Sequence, residues 1–181
     1  MTLLELIRGA LEQLDRGTDA QTIETWRDKL TRYFNDAVLD LLSTAPLQHT
    51  ETVTVTDGKF TTASLERTCL KVVAVMARGV RWPFYYGIGT NEICLPKLGS
   101  ESVIVVYRAA PRELAIDTDV PDVPAPYHGA LINYAVARER AMGDEASLSA
   151  ARACFELYNA RKRSLMQSAE LFGGSRILNC F

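Results

Sequence analysis

Apolar positions change their period twice along the chain, and those changes divide it into three parts. At the start, Leu3, Ile7, Leu11 and Leu14 recur at helical spacing behind Thr2 and Glu5, which match a capping box. This first helix is expected to end near Asp15 to Gly17. A second is expected from Asp19–Thr22 to about Leu42, with Ile23, Trp26, Leu30, Tyr33, Ala37 and Leu41 as its apolar face. Ser43 to Pro46 should stop it, because proline lacks the backbone donor and clashes with the preceding turn.

From Leu47 the period becomes two. The run around Asp57-Gly58 reads as a hairpin with a two-residue turn, since both turn positions need a positive φ. That turn places Val55 opposite Phe60 and Val53 opposite Thr62, and turns Thr50, Thr52, Thr54 and Thr56 to the other face. The threonine face is either solvated or meets a polar partner. Cys69 to Ala77 is nearly continuous apolar sequence and predicts a central strand. Val80 to Tyr86 predicts a strand with Val80, Trp82, Phe84 and Tyr86 on one side, held to an edge or bulge by Pro83. Glu92 to Leu95 and Ser102 to Arg108 complete a small, mostly antiparallel β lobe.

The helical period then returns. Three prolines in Asp117 to Pro126 predict a stiff, extended strap. Pro126 to Asp144 predicts a helix with Tyr127, Leu131, Tyr134, Ala135, Arg138 and Met142 on one face. Ser147 to Phe172 predicts a long final helix, its face built from Leu148, Ala151, Phe155, Tyr158, Lys162, Leu165, Ala169 and Phe172. The short turn at Gly143-Asp144 makes these two antiparallel neighbours. The expected fold is therefore α+β. An antiparallel bundle of N- and C-terminal helices (1–46 and 121–172) carries an inserted, mostly antiparallel β lobe (47–116), all in a single domain. Beyond it lies a short tail, 173–181, that still carries Arg176, Ile177, Leu178 and Phe181. A tail that is apolar but too short to fold alone suggests ordering by a partner, against the alternatives of a disordered end or one folded back on its own core.

Composition narrows the function. With 48% apolar and 23% charged residues in 181, the chain is of ordinary globular type. A net charge of −2 argues against a dedicated nucleic-acid binder with a basic surface. No apolar run reaches the length of a membrane span, and no basic start precedes an apolar block as in a secretory leader. The four cysteines form no CxxC and stand far in sequence from His49 and His128, so no zinc spacing arises and no metal or cofactor is expected. They read as buried free thiols. There is no GxGxxG, P-loop, HExxH or GxSxG. One thiol–base pair, Cys154 with His128, is conceivable because the two fall on neighbouring predicted helices. Arg161-Lys162-Arg163 reads either as a charge cluster in the second half of the last helix or as a contact for phosphate or an acidic partner.

The layout resembles the head-to-tail adaptor (connector) proteins of tailed bacteriophages, including the tail accessory factors of short-tailed phages. The residues that carry the resemblance are LTRYFNDAVLDLL (30–42), VYRAAPREL (106–114), PYHGALINYAVARERAMGDE (126–145) and ARACFELY (151–158), together with the acidic, proline-bearing strap. The resemblance implies a non-enzymatic structural protein of the virion neck, made in the host cytoplasm and free of cofactors. It implies a homo-oligomeric ring, read as dodecameric, that docks on the portal protein, meets a tail nozzle or other neck proteins, and lets double-stranded DNA pass transiently. The portal-docking tail would be Phe172, Arg176, Ile177, Leu178 and Phe181. The β lobe would face neighbouring subunits or the nozzle, with Asp57, Gly58 and Lys59 as contacts at its hairpin. The competing classes are another neck component, such as a stopper or head-completion protein, and a DNA-binding module or thiol enzyme.

Overall fold

The computed structural model describes residues 1–89 and 91–173. It divides the chain into two compact units, Met1–Ala45 with Pro111–Phe181, and Pro46–Ala110. The fold is α+β, with four α-helices and antiparallel sheets among the described residues.

The helical unit contains α1 (Leu3–Gln13), α2 (Ala20–Thr44), α3 (His128–Arg140) and α4 (Glu145–Gly173). α1 begins in the expected capping box: the Glu5 N–H donates to Thr2 Oγ1, and the Thr2 N–H donates to Glu5. It ends in a Schellman turn, with Asp15 left-handed at φ 57° and the Arg16 N–H donating to the Leu11 carbonyl. Gly17 is therefore not the residue that closes the helix. Asp19 caps α2, accepting from the Thr22 N–H and hydroxyl.

α3 sits at the centre and packs against each of the other three helices. That position corrects the expected one-faced helix. His128, Ala130, Leu131, Ile132, Tyr134, Ala135, Val136 and Ala137 are buried around most of the circumference, whereas Met142 lies beyond the helix end and is exposed. A helix with neighbours on three sides has no polar stripe, so its period says little about its burial. The face of α2 also shifts. Phe34 and Val38 join Ile23, Leu30, Ala37 and Leu41 in the core, while Trp26 and Tyr33 are half-buried and sit under cations. Arg16 lies 4.6 Å and Lys29 5.2 Å from the Trp26 ring, and Arg138 5.3 Å from Tyr33.

The chain from Pro111 to Pro124 has no regular structure and is tied down at several points. Residues 111–116, expected in the β lobe, belong to the helical unit: the Asn35 side-chain amide pairs with both the N–H (2.9 Å) and the carbonyl (3.1 Å) of Leu114. Arg27 pairs with Asp117, the Leu3 N–H donates to the Asp119 carbonyl, and Val123 is buried. A 3-10 turn, Ala125–Tyr127, then leads into α3.

The β unit holds two sheets. β1 (Gln48–Val55), β7 (Glu101–Ala109), β3 (Cys69–Ala77) and β4 (Val80–Trp82) form the first, in the order β1-β7-β3-β4. β2 (Lys59–Thr61), β6 (Glu92–Cys94) and β5 (Tyr85–Tyr86) form the second, in the order β2-β6-β5. The Asp57-Gly58 turn is present, with φ 51° and 73°, and Thr56 and Lys59 exchange two backbone hydrogen bonds across it. The ladder stops there. β1 leaves to pair with β7, so Val55 faces Glu101 and Val53 faces Val103, not Phe60 and Thr62. Pro83 likewise splits the expected Val80–Tyr86 strand between the two sheets. Trp82 and Phe84 pack on the common core, but Val80, Tyr85 and Tyr86 are exposed.

Candidate functional site

The residues marked by sequence fall in different environments. Lys162 lies on the buried side of α4, where its Nζ donates to both carboxylate oxygens of Asp40, at 2.7 and 2.8 Å. The Tyr158 hydroxyl donates to the same carboxylate. Tyr158 is fully buried, and burial together with this hydrogen bond pushes its phenol far above the usual tyrosine range. Asp40 shows the opposite balance. Burial raises its pKa, but the bonds from Lys162 and Tyr158 outweigh that and hold it below the usual carboxylate value. Lys162 is thus part of a structural node between α2 and α4, leaving Arg161 and Arg163 as the exposed members of the expected basic trio.

At the β hairpin, Gly58 is buried against the chain that follows β6. The Leu95 N–H donates to its carbonyl at 2.7 Å, and an added Cβ would lie 2.8 Å from the carbonyl oxygens of Leu95 and Leu98. Gly58 is therefore an internal contact rather than an outward one, a correction to its place among the hairpin contacts. Asp57 and Lys59 are exposed, and Lys59 is 3.1 Å from Glu92. Phe172 lies in the last turn of α4, where no side chain is described, and Arg176, Ile177, Leu178 and Phe181 lie outside the described residues.

The thiol–base pair does not assemble. Both ring nitrogens of His128 are engaged, Nε2 with the Val123 carbonyl at 2.7 Å and Nδ1 with the Met1 amine at 2.9 Å. Burial moves this histidine below its ordinary pKa, so it is neutral at pH 7. Among the described residues, no three or more His, Cys, Asp or Glu are grouped to hold a metal, and no helix is long and apolar enough to cross a membrane.

What the periodicity missed is surface. Ala151, Tyr158 and Leu165 of α4 are buried, but Leu148 and Phe155, on the same predicted face, are 39% and 41% exposed. α4 has 29 residues and α3 has 13, so α4 is about 43 Å long against about 20 Å. The small side chains Ala137, Ala141 and Ala151 leave Leu148 and Phe155 partly uncovered where the first half of α4 lies alongside α3. Between them runs an open groove of about 470 Å³, floored by Ala137, Ala141, Ala151 and Phe155 and rimmed by Arg138 and Arg152. Leu157, 58% exposed, adds a second apolar position on the outer side of α4. The run of small residues in these helices is visible in the sequence. Which apolar neighbours it leaves uncovered is not.

These features describe a protein with a tied core and open apolar and polar faces, and without a catalytic constellation among the described residues. No curated protein matches the chain. The family model described as SU10 adaptor protein matches residues 1–177. With nearly its whole length covered, the chain belongs to this family of phage head-to-tail adaptors and is a structural component of the virion neck.

Proposed function

We propose that the protein assembles with copies of itself into a closed ring, read as dodecameric. The ring docks on the portal protein, meets a tail nozzle or other neck component on its far side, and lets double-stranded DNA pass without chemical turnover. The observation that carries this reading is the adaptor-family match over residues 1–177. The surface is compatible with it. A ring uses heterologous contacts, in which one patch of a subunit meets a different patch of the next, and α4 offers Leu148, Phe155 and Leu157 uncovered. A conduit must release DNA, and a chain of net charge −2 makes few phosphate contacts.

Portal docking is assigned to Phe172, Arg176, Ile177, Leu178 and Phe181. Four of these are large and apolar, and the last turns of α4 lead toward them. A segment ordered only on docking contributes affinity less its own ordering entropy. Truncation before Phe172 tests the assignment. The shortened chain should melt like the full-length protein yet fail to co-sediment with portal rings. Undiminished portal binding by the truncated chain would remove the tail from the interface.

A further inference from the structure

We propose that the outward face of the four-stranded sheet is the surface on which this protein meets the phosphate backbone of double-stranded DNA. The inference rests on the adaptor reading for its ligand, and on the following geometry for its place.

Strand alternation sorts the sheet into two faces. Val55, Val72, Val75, Val103, Val105 and Tyr107 point into the core of the β unit. Their neighbours point outward, and the register lines them up across strands. Gln48, Arg108 and Lys71 form one row over β1, β7 and β3. Thr52, Ile104, Met76 and Arg81 form another, extending to β4. Thr50 and Thr54 stand between and beyond these rows, with Ser102 opposite Thr54, and all three are exposed.

The chemistry of this face is one-sided. It carries three cations, Lys71, Arg81 and Arg108, all exposed, and none of them is in an ion pair among the described residues. Arg81 makes one hydrogen bond, to the Val73 carbonyl. Lys71 and Arg108 are direct cross-strand partners, an arrangement that costs stability unless an anion lies over it. No outward residue of the four strands is acidic. The five carboxylates of this unit lie elsewhere: Glu51 points inward to Tyr107, Glu92 is in the smaller sheet, Glu101 is paired with Arg78, and Asp57 and Glu66 fall outside the strands. Residues 46–110 hold seven Lys and Arg against five Asp and Glu, although the whole chain is net −2.

Threonine, serine and glutamine side chains are the neutral groups that bond phosphate oxygens without reading sequence. The threonine face left open by the sequence thereby acquires a partner. Lys71 and Arg108 are separated from Arg81 by about four residues along the strands and by one and two strands across, or about 14 and 16 Å. Those spans are near the ~12 Å width of the B-DNA major groove, so both cationic ends can meet phosphates at once. Val106 and Ala74 between the two rows, with Met76 and Ile104 beside Arg81, add no side-chain hydrogen bonds, which keeps the contact weak, as passage requires.

Three phosphate contacts imply that log affinity falls with log salt at a slope of about −2.7, a loss of about 40-fold between ~50 and ~200 mM. The experiment is fluorescence anisotropy of a labelled mixed-sequence duplex with the full-length chain. The K71Q/R108Q variant should retain one contact and lose only about 3.5-fold over the same step. K71Q/R81Q/R108Q should show almost no salt dependence, and its thermal melt confirms that it is folded. R161Q/R163Q on α4 should behave like the parent.

A parent chain that ignores the duplex at low salt would overturn the proposal. So would a salt slope abolished by R161Q/R163Q, or a polyglutamate probe that binds through Lys71 and Arg108 where the duplex does not. Portal capture is measured in parallel. Normal capture by K71Q/R81Q/R108Q with unchanged duplex binding would sink only this inference, whereas a parent chain that fails to capture portal would sink the adaptor reading.

Discussion

Tyr158 in the helical unit and Tyr107 in the β unit are both fully buried, and each sends its hydroxyl to a carboxylate. Their surroundings differ. Asp40, the partner of Tyr158, is also held by Lys162 from more than a hundred residues away. Glu51, the partner of Tyr107, accepts its other hydrogen bonds from the backbone N–H of Glu66, only fifteen residues on. The contrast extends through both units. Side chains distant in sequence close the helical unit: Lys29 with Glu139 at 2.6 Å, Arg140 with the Gln13 carbonyl at 2.6 Å, and Asn35 with Leu114. In the β unit the constraint is local and lies in the backbone. Of the seven described residues with left-handed φ, six fall there: Asp57, Gly58, Arg78, Gly79, Asn91 and Lys97. Helices carry their own hydrogen bonds and need side chains to set their mutual positions. Short strands need turns that reverse the chain at defined points.

The largest effect expected from this contrast is in the helical unit. Tyr158→Ala should cost about 3–5 kcal/mol, since it leaves a cavity and takes one donor from a partly buried carboxylate. Arg161→Ala, exposed on the same helix, should cost less than about 0.5 kcal/mol. Urea titrations of the two variants measure the difference, and similar midpoints would remove the node from its structural role.

Next comes the backbone of the β unit. Gly58→Ala should destabilise by about 1–3 kcal/mol, because φ is +73° and the new Cβ would meet two carbonyl oxygens at 2.8 Å. Gly129→Ala in α3 has open space around it and should stabilise by about 0.5–1 kcal/mol. If the two substitutions shifted the melting temperature in the same direction, the contrast between the units would fail.

The smallest effect is acid sensitivity. His128 is buried and its folded pKa is lowered from 6.5, so the folded chain binds fewer protons than the unfolded chain just below that pH. Stability is then complete above about pH 6.5 and declines as pH falls toward the folded value. Thermal melts across this range, with an NMR titration of the His128 ring, check the sign. A folded pKa above 6.5 would reverse it.

Much of this organisation is legible in the residues. The capping box at Thr2 and Glu5, the Asp57-Gly58 turn, the exposed threonines of β1 and the helix-breaking stretch before Pro46 all depend on neighbours within a few positions. The errors share one cause. The period of α3 misled because three helices surround it. The hairpin ladder beyond Thr56 failed because β7, some fifty residues away, competes for β1 and wins it. Lys162 fell on the apolar face of its helix without a visible partner, because Asp40 is invisible from that helix. Phe34 and Val38 entered the core because α2 turns a wider face inward than a single stripe.

For this protein the order of elements, their approximate ends and the tight turns were determined by sequence alone, because caps, glycines and prolines act within one turn of the chain. The division of the described strands into two sheets, the node of Asp40, Tyr158 and Lys162, and the gathering of Lys71, Arg81 and Arg108 on one face were decided by tertiary structure. Each of these needs residues from separate segments, and which segments meet depends on burying the most apolar surface at once.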